Sequence, residues 1–236
     1  MQGSGGERPA WEKRGDARLL RVVDAALADG AERAGDRLAC RVGCTECCHG
    51  PFPITLLDAR RLAHGLQALR QREPKRAAAV EKRAWSAVRA LRRGFPGDPD
   101  SGRLNEDEAA RESFFERHQA RPCPALDPRT GACELYAARP LTCRTYGPPL
   151  RMAGENLPAC RLCFVGAAPR EIARCRVRVD PEGLEDRLLR RLYRSGEPAA
   201  VETLVAFALK PEPAVAAASR RTRPRSAGRP AAVRRT

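Results

Sequence analysis

Aromatic residues make up only 5% of the 236-residue sequence, and histidine occurs three times. A core with so few rings must be built from Leu, Ala and Val, which favours packed helices over a large sheet. No run of about 18 apolar residues is present to span a bilayer. The opening MQGSGGERPAWEKRGDARLL carries charges where a secretory leader needs an uninterrupted apolar stretch. The expectation is a cytoplasmic protein with no membrane span. Also missing are a glycine-rich phosphate loop, an HExxH helix, and a histidine and carboxylate placed to activate a cysteine nucleophile. No specific enzymatic reaction is therefore supported.

Charge, by contrast, is plentiful and one-sided: 44 Lys and Arg against 29 Asp and Glu, a formal net of +15. Much of the excess lies at one end. From Lys210 onward, KPEPAVAAASRRTRPRSAGRPAAVRRT holds eight basic residues and a single acid, Glu212. With almost no bulky apolar side chain, this segment buries too little to offset its ordering entropy, and it reads as a disordered basic tail. Such a tail raises the prospect of contact with a polyanion, nucleic acid included.

Apolar periodicity gives the frame. Leu19, Leu20, Val22, Val23, Ala26 and Leu27 recur at helical spacing, with Gly30 as a stop. A second helix opens at Thr55 with Asp58 three residues on, and places Leu62, Leu66 and Leu69 on one face. Pro74 interrupts it, and a third runs through Ala77, Val80, Ala84, Trp85, Val88 and Leu91. A short helix carries Phe114 and Phe115 inward. Residues 121–163 hold seven prolines and read as loops, with one brief helical turn in CELYAAR. Two further helices are expected, DPEGLEDRLLRRLYRSG and PAAVETLVAFALK, and CRVRV reads as an edge strand. The fold class is mainly α: a flexible start over 1–15, a single helical domain over 16–209 with irregular Cys/Pro-rich loops and a helical insertion at about 56–120, and the disordered basic tail over 210–236.

The ten cysteines are the other abundance. In a reducing compartment they are poorly suited to a disulfide framework, so metal binding or thiol chemistry leads. The densest stretch is CRVGCTECCHG, with Cys40, Cys44, Cys47 and Cys48; then come Cys123, Cys133 and Cys143 at intervals of ten, and Cys160-x2-Cys163. Two cysteines separated by two residues turn both sulfurs to one ion with little strain. Adjacent Cys47 and Cys48 point in different directions on a regular backbone, which suggests two metals, a polynuclear cluster, or a ligand beside a reactive thiol. The set supplies thiolates for two four-coordinate sites, and a metal there staples the ends of the helical insertion. Arg41, Arg121, Arg139, Arg144 and Arg161 flank cysteines and are candidates for screening sulfur charge. His49 stands as either a ligand or a solvated loop residue, while His64 and His118 read as non-ligands. Tyr136 and Tyr146 are expected to pack over the site, and Cys175 to be a small core residue.

The stretches CRVGCTECCHGPFPITLLDARRL and CPALDPRTGACELYAARPLTCRTYG resemble the YkgJ family of cysteine-cluster proteins, the CxxCxxCC zinc- or iron-chelating domain, over Cys40 to Phe164 apart from the insertion. The resemblance implies metal chelation by Cys44, Cys47, Cys48, Cys123, Cys133 and Cys143. Cys40 and either Cys160 or Cys163 would complete an eight-cysteine set. This chain has three residues between Cys40 and Cys44 where the family has two. The resulting expectation is a zinc- or iron-binding protein, an iron–sulfur cluster being one form of the iron case, with Cys40, Cys44, Cys47, Cys48, Cys123, Cys133, Cys143, Cys160 and Cys163 as the candidate donors. Two other classes stand beside it: a redox or metal-dependent enzyme, and an interaction module acting through the basic tail.

Overall fold

The computed structural model describes residues 8–41, 43–152, 154–196 and 202–210. The chain is mainly α, with eight helices among those residues: α1 (Ala10–Ala34), α2 (Leu56–Arg72), α3 (Pro74–Leu91), α4 (Glu108–Arg117), α5 (Leu141–Thr145), α6 (Pro169–Arg174), α7 (Leu184–Arg194) and α8 (Val205–Leu209). Short strands accompany them. Strands β1 (Pro53–Thr55) and β7 (Glu202–Leu204) pair antiparallel, Pro53 opposite Leu204. Strands β2 (Gly97–Asp98) and β3 (Arg103–Leu104) form a hairpin. Strand β4 (Leu150–Met152) lies between antiparallel β5 (Glu155–Leu157) and parallel β6 (Val177–Arg178), so β6 is the edge strand read from CRVRV.

Helix α2 begins where Thr55 accepts a hydrogen bond from the Asp58 N–H at 3.3 Å, and ends where Pro74 starts α3 at its first turn. A proline there lacks only an N–H that has no helical partner, so the two helices fold back as a hairpin. Their facing rows, Leu62, Leu66, Leu69, Ala77, Val80 and Ala84, close around Leu209 and Val205 of α8. Each fully buried Leu in this row contributes about 1.5–3 kcal/mol. Ala125 and Leu135, from the proline-rich segment, belong to the same cluster, and Cys123 and Cys133 pack against it. The irregular segment is thus laid directly on the hairpin.

A second cluster joins Leu19 and Val23 of α1 to Val177, Leu184 and Leu192, and a third gathers Phe95, Phe114 and Phe207 beside Leu91 and Leu104. Ions cross the gap between α1 and α2. Asp16 and Arg61 meet at 2.5 Å with both side chains 5% exposed, and Arg61 also pairs with Asp58 at 2.5 Å. Arg8 reaches Glu12 and Asp16 from the helix start.

Several expectations change. Helix α1 begins at Ala10, not after a flexible stretch to residue 15, and it runs through Gly30 to Ala34. Gly30 is a place of close approach: a Cβ there would lie 2.2 Å from Val177 Cγ2, so the glycine lets β6 pack on the helix. Trp85, assigned to the apolar face of α3, is 40% exposed. PAAVETLVAFALK is not one helix: of its described residues, 202–204 pair with β1 and 205–209 are helical. The tail beyond Lys210 lies outside the described residues.

Candidate metal centre

Main-chain bonds bring the cysteine segments together before any side chain is considered. The Cys123 N–H donates to the Cys48 carbonyl at 2.7 Å and the Gly50 N–H to the Arg121 carbonyl at 2.8 Å, forming a bridge at His49 and Pro122. The ends of the helical insertion are therefore closed by backbone pairing. A turn then returns the chain: Asp127 accepts from the Arg129 N–H and the Thr130 hydroxyl, both at 3.0 Å. The Glu134 N–H donates to the Ala125 carbonyl at 2.8 Å, which sets Cys133 beside Leu126.

Cys143 rides on α5, and the start of α5 is held from the helical frame. Asp58 accepts the Leu141 N–H at 3.1 Å, while Arg144 donates to the Arg139 carbonyl at 3.3 Å and to Asp24 of α1 at 2.8 Å. Arg144 is thus occupied with carbonyls and a carboxylate. Arg139 lies 3.9 Å over the Tyr136 ring and faces the sulfurs with its charge. Tyr136 itself is 62% exposed, so it supports Arg139 rather than roofing the thiols.

The thiols sort into two groups. In the first, Cys48 donates its S–H to the Cys47 sulfur; that contact, helped by Arg139, holds Cys47 down at about 6 against the effect of burial. Donating the proton pushes Cys48 well up, with burial and then the Cys47, Cys123 and Cys133 charges adding to it. Burial pushes Cys123 to about 12, with Cys133 and Cys47 contributing. Cys143 is raised by burial and then by Cys123, Cys47 and Cys133, and Cys133 by burial, partly offset by Arg139. These five sulfurs form one electrostatic neighbourhood.

In the second group, burial and then Cys163, Cys44 and Cys160 raise Cys40 to about 12. Cys160 is raised by burial and by a contact to Cys163. The sequence-level quartet of Cys40, Cys44, Cys47 and Cys48 is therefore divided between the two groups. Cys47 and Cys48 end a one-turn 3-10 helix, Glu46–Cys48, after which His49 continues extended.

Among the described residues, no three His, Cys, Asp or Glu side chains are set out at metal-holding geometry. The sulfurs instead lie near enough to shift one another's pKa values. The donor set nonetheless suits a thiophilic cation: all are thiols, none is in a disulfide, and each burial-raised pKa is one a bound divalent ion would lower. His49 is exposed, with its Nδ1 3.0 Å from the Thr45 carbonyl. His64 is exposed on α2, and His118 packs on Phe114 with ring centroids 4.7 Å apart. Cys175 is buried and meets the Arg33 carbonyl at 3.5 Å.

Sequence reasoning missed Asp58 and Arg61 as supports of the Cys143 turn, and Glu46 as the partner of Arg161 at 2.5 Å. Thr55-x-x-Asp58 was legible as a helix start, but the destination of the Asp58 carboxylate, 83 residues away, was not. No described helix is long and apolar enough to cross a membrane.

Residues 39–161 match the CxxCxxCC family, described as "Putative zinc- or iron-chelating domain". Neither a curated protein nor a solved structure matches the chain. The family match ends between Cys160 and Cys163, and includes both sides of the Cys48–Cys123 bridge together with the whole insertion that the bridge closes. With more than half of its length in that match, the chain belongs to the CxxCxxCC family.

Proposed function

We propose that this chain binds zinc or iron through the five-thiol group, Cys47, Cys48, Cys123, Cys133 and Cys143, and that it does so in a reducing compartment such as the cytoplasm. The observation that carries the reading is the backbone bond from the Cys123 N–H to the Cys48 carbonyl, which brings two cysteine segments together, with Cys133 returned beside Leu126 by the turn that follows. Backbone pairing sets where the Cβ atoms lie, and rotation about the Cα–Cβ bonds is what remains for the sulfurs to converge.

A bound divalent ion supplies positive charge that stabilises several adjacent thiolates at once. The chain's own contribution is to bury those sulfurs, to place Arg139 beside them, and to hold the Cys143 turn through Asp58. Five thiols exceed the four of a closed zinc site. The excess favours an exchangeable ion or an iron–sulfur cluster at this location, with iron the more direct way to use it.

The test is elemental analysis, acid-labile sulfide and visible absorption on full-length protein purified without oxygen. At least one equivalent of zinc or iron is expected, and the double substitution Cys123→Ser/Cys133→Ser should remove the share held by the five-thiol group. Metal below about 0.1 equivalent, with folding unchanged on adding zinc or ferrous iron, overturns the reading.

A further inference from the structure

The four remaining candidate cysteines also meet. Cys40 follows α1, and its Sγ lies 3.9 Å from the Tyr146 carbonyl, where it donates a weak hydrogen bond. The next residue, Gly147, accepts the Cys160 N–H on its carbonyl at 2.9 Å. A Cβ on Gly147 would stand 2.6 Å from Cys40 Sγ, so this position, at φ +135, leaves the sulfur its room. Two tight turns present the pairs: the Cys44 N–H closes on the Arg41 carbonyl at 2.9 Å, and the Cys163 N–H on the Cys160 carbonyl at 2.8 Å.

The turns are clamped to each other. Arg161 lies within the second turn and makes a two-pronged contact with Glu46, at 2.5 and 2.9 Å, just past the first. Phe164, one of two non-glycine residues with positive φ among the described ones, donates its N–H to the Arg37 carbonyl at 2.8 Å. It packs with Cys160, Cys163 and Ala34 in a small cluster of their own. Within the group, Cys163 is the neighbour shared by Cys40 and Cys160, and Cys44 also lies near Cys40.

We infer that Cys40, Cys44, Cys160 and Cys163 form a second metal site, separate from the five-thiol group, that takes a single thiophilic divalent ion of the zinc class in a closed four-thiolate set. Two short-spaced pairs from opposite halves of the chain are the donor arrangement of a structural zinc site, in which no position is left for substrate. The ion fastens the segment after α1 to the loop after β5. Three residues between Cys40 and Cys44, in place of two, lengthen the first turn without removing either sulfur from the group. The site shares no donor with the five-thiol centre, so either stands if the other fails.

The experiment uses the full-length chain loaded with zinc under reducing conditions. Wild type should hold two equivalents when the five-thiol centre also takes one zinc. Cys160→Ser/Cys163→Ser should keep about half of the wild-type content, and Cys123→Ser/Cys133→Ser should keep the zinc of the second site. Wild-type content in Cys160→Ser/Cys163→Ser overturns the inference. Because substitution can unfold the chain, thiol alkylation of the unaltered protein, read by peptide mass, gives the independent arm. Zinc should protect Cys40, Cys44, Cys160 and Cys163 as one set, lost together on adding chelator, at a chelator concentration different from that for the five-thiol set. Cys175, buried against the Arg33 carbonyl, should not follow zinc and serves as the internal control. Alkylation of the four at the same rate with and without zinc overturns the site, whereas zinc failing to protect Cys47, Cys123 and Cys133 while it protects the four counts against the first centre only.

Discussion

Glu185 shows how one side chain ties stability to pH through burial. Its carboxylate, in the first turn of α7, accepts the Thr55 hydroxyl at 3.2 Å, yet burial and the nearby Asp58 raise its pKa from 4.5 to about 7. Between those two values the native state keeps a proton that the unfolded chain has already released. Raising the pH through that window therefore lowers stability, by at most about 3 kcal/mol from this group. The contribution is fully present below pH 4.5 and gone above pH 7. Denaturant titrations from pH 4.5 to 7.5 at constant metal content should show the slope, and Glu185→Gln should flatten it. An unchanged slope in the variant would mean that another group carries it. Asp16 acts in the opposite sense: burial favours its proton, but Arg61 and Arg8 outweigh burial and hold the carboxyl below its usual value.

At the scale of elements, the helical frame and the sulfur loops are joined by Asp58. Burial pushes its pKa up while Arg61 and the Leu141 N–H pull it down. The carboxylate spans α2 and the start of α5, so the helix that was chosen for core packing also sets the position of Cys143. Replacing Asp58 by Ala removes the acceptor for the Leu141 N–H and leaves Asp16 as the one carboxylate that Arg61 is seen to pair with. Metal affinity, read by competition with a chromogenic chelator, should fall about 10-fold or more, as for other groups that orient ligands from behind. Asp58→Asn keeps an acceptor oxygen and should recover part of that loss. Equal losses in the two variants would show that charge, not orientation, is what Asp58 supplies. Breaking the buried pair should also cost about 3–5 kcal/mol of stability.

The elements themselves were unevenly legible. Helices α2 and α3 could be read closely because their apolar rows repeat at 3.6 residues and Pro74 marks the joint. Strand β7 could not, because TLVAFALK suits a helix and only pairing with β1 draws residues 202–204 into extended form. Gly30 was misread for a related reason: a glycine in a helical pattern reads as a stop until a partner such as Val177 is known to press on it.

At the scale of the molecule, the apolar contacts among the described residues fall into four clusters, and of these the one with buried cysteines other than at its edge is that of Ala34, Cys160, Cys163, Phe164 and Cys175. The other three are built on Leu, Val, Ala, Ile and Phe, mainly from the helices, with no cysteine among their buried members. Removing metal from the full-length protein should therefore leave most far-UV helicity in place while loosening the cysteine loops. Hydrogen exchange by mass spectrometry should speed up over residues 39–49 and 147–164, and change little over α2 and α3. Global unfolding on chelation would show that the metal supplies much more of the folding free energy than the clusters suggest.

Sequence alone determined that the chain is helical and that its thiols follow the CxxCxxCC pattern; periodicity and spacing are local properties, so they are visible in one dimension. Which sulfur neighbours which was decided only by the tertiary structure. Cys44 and Cys47 are three residues apart yet belong to different groups, while Cys40 and Cys163 meet across the chain. The cause is the backbone bridge at His49 and Pro122, which draws Cys47 and Cys48 toward Cys123, while the clamp between Glu46 and Arg161 holds the segment before them to the other turn.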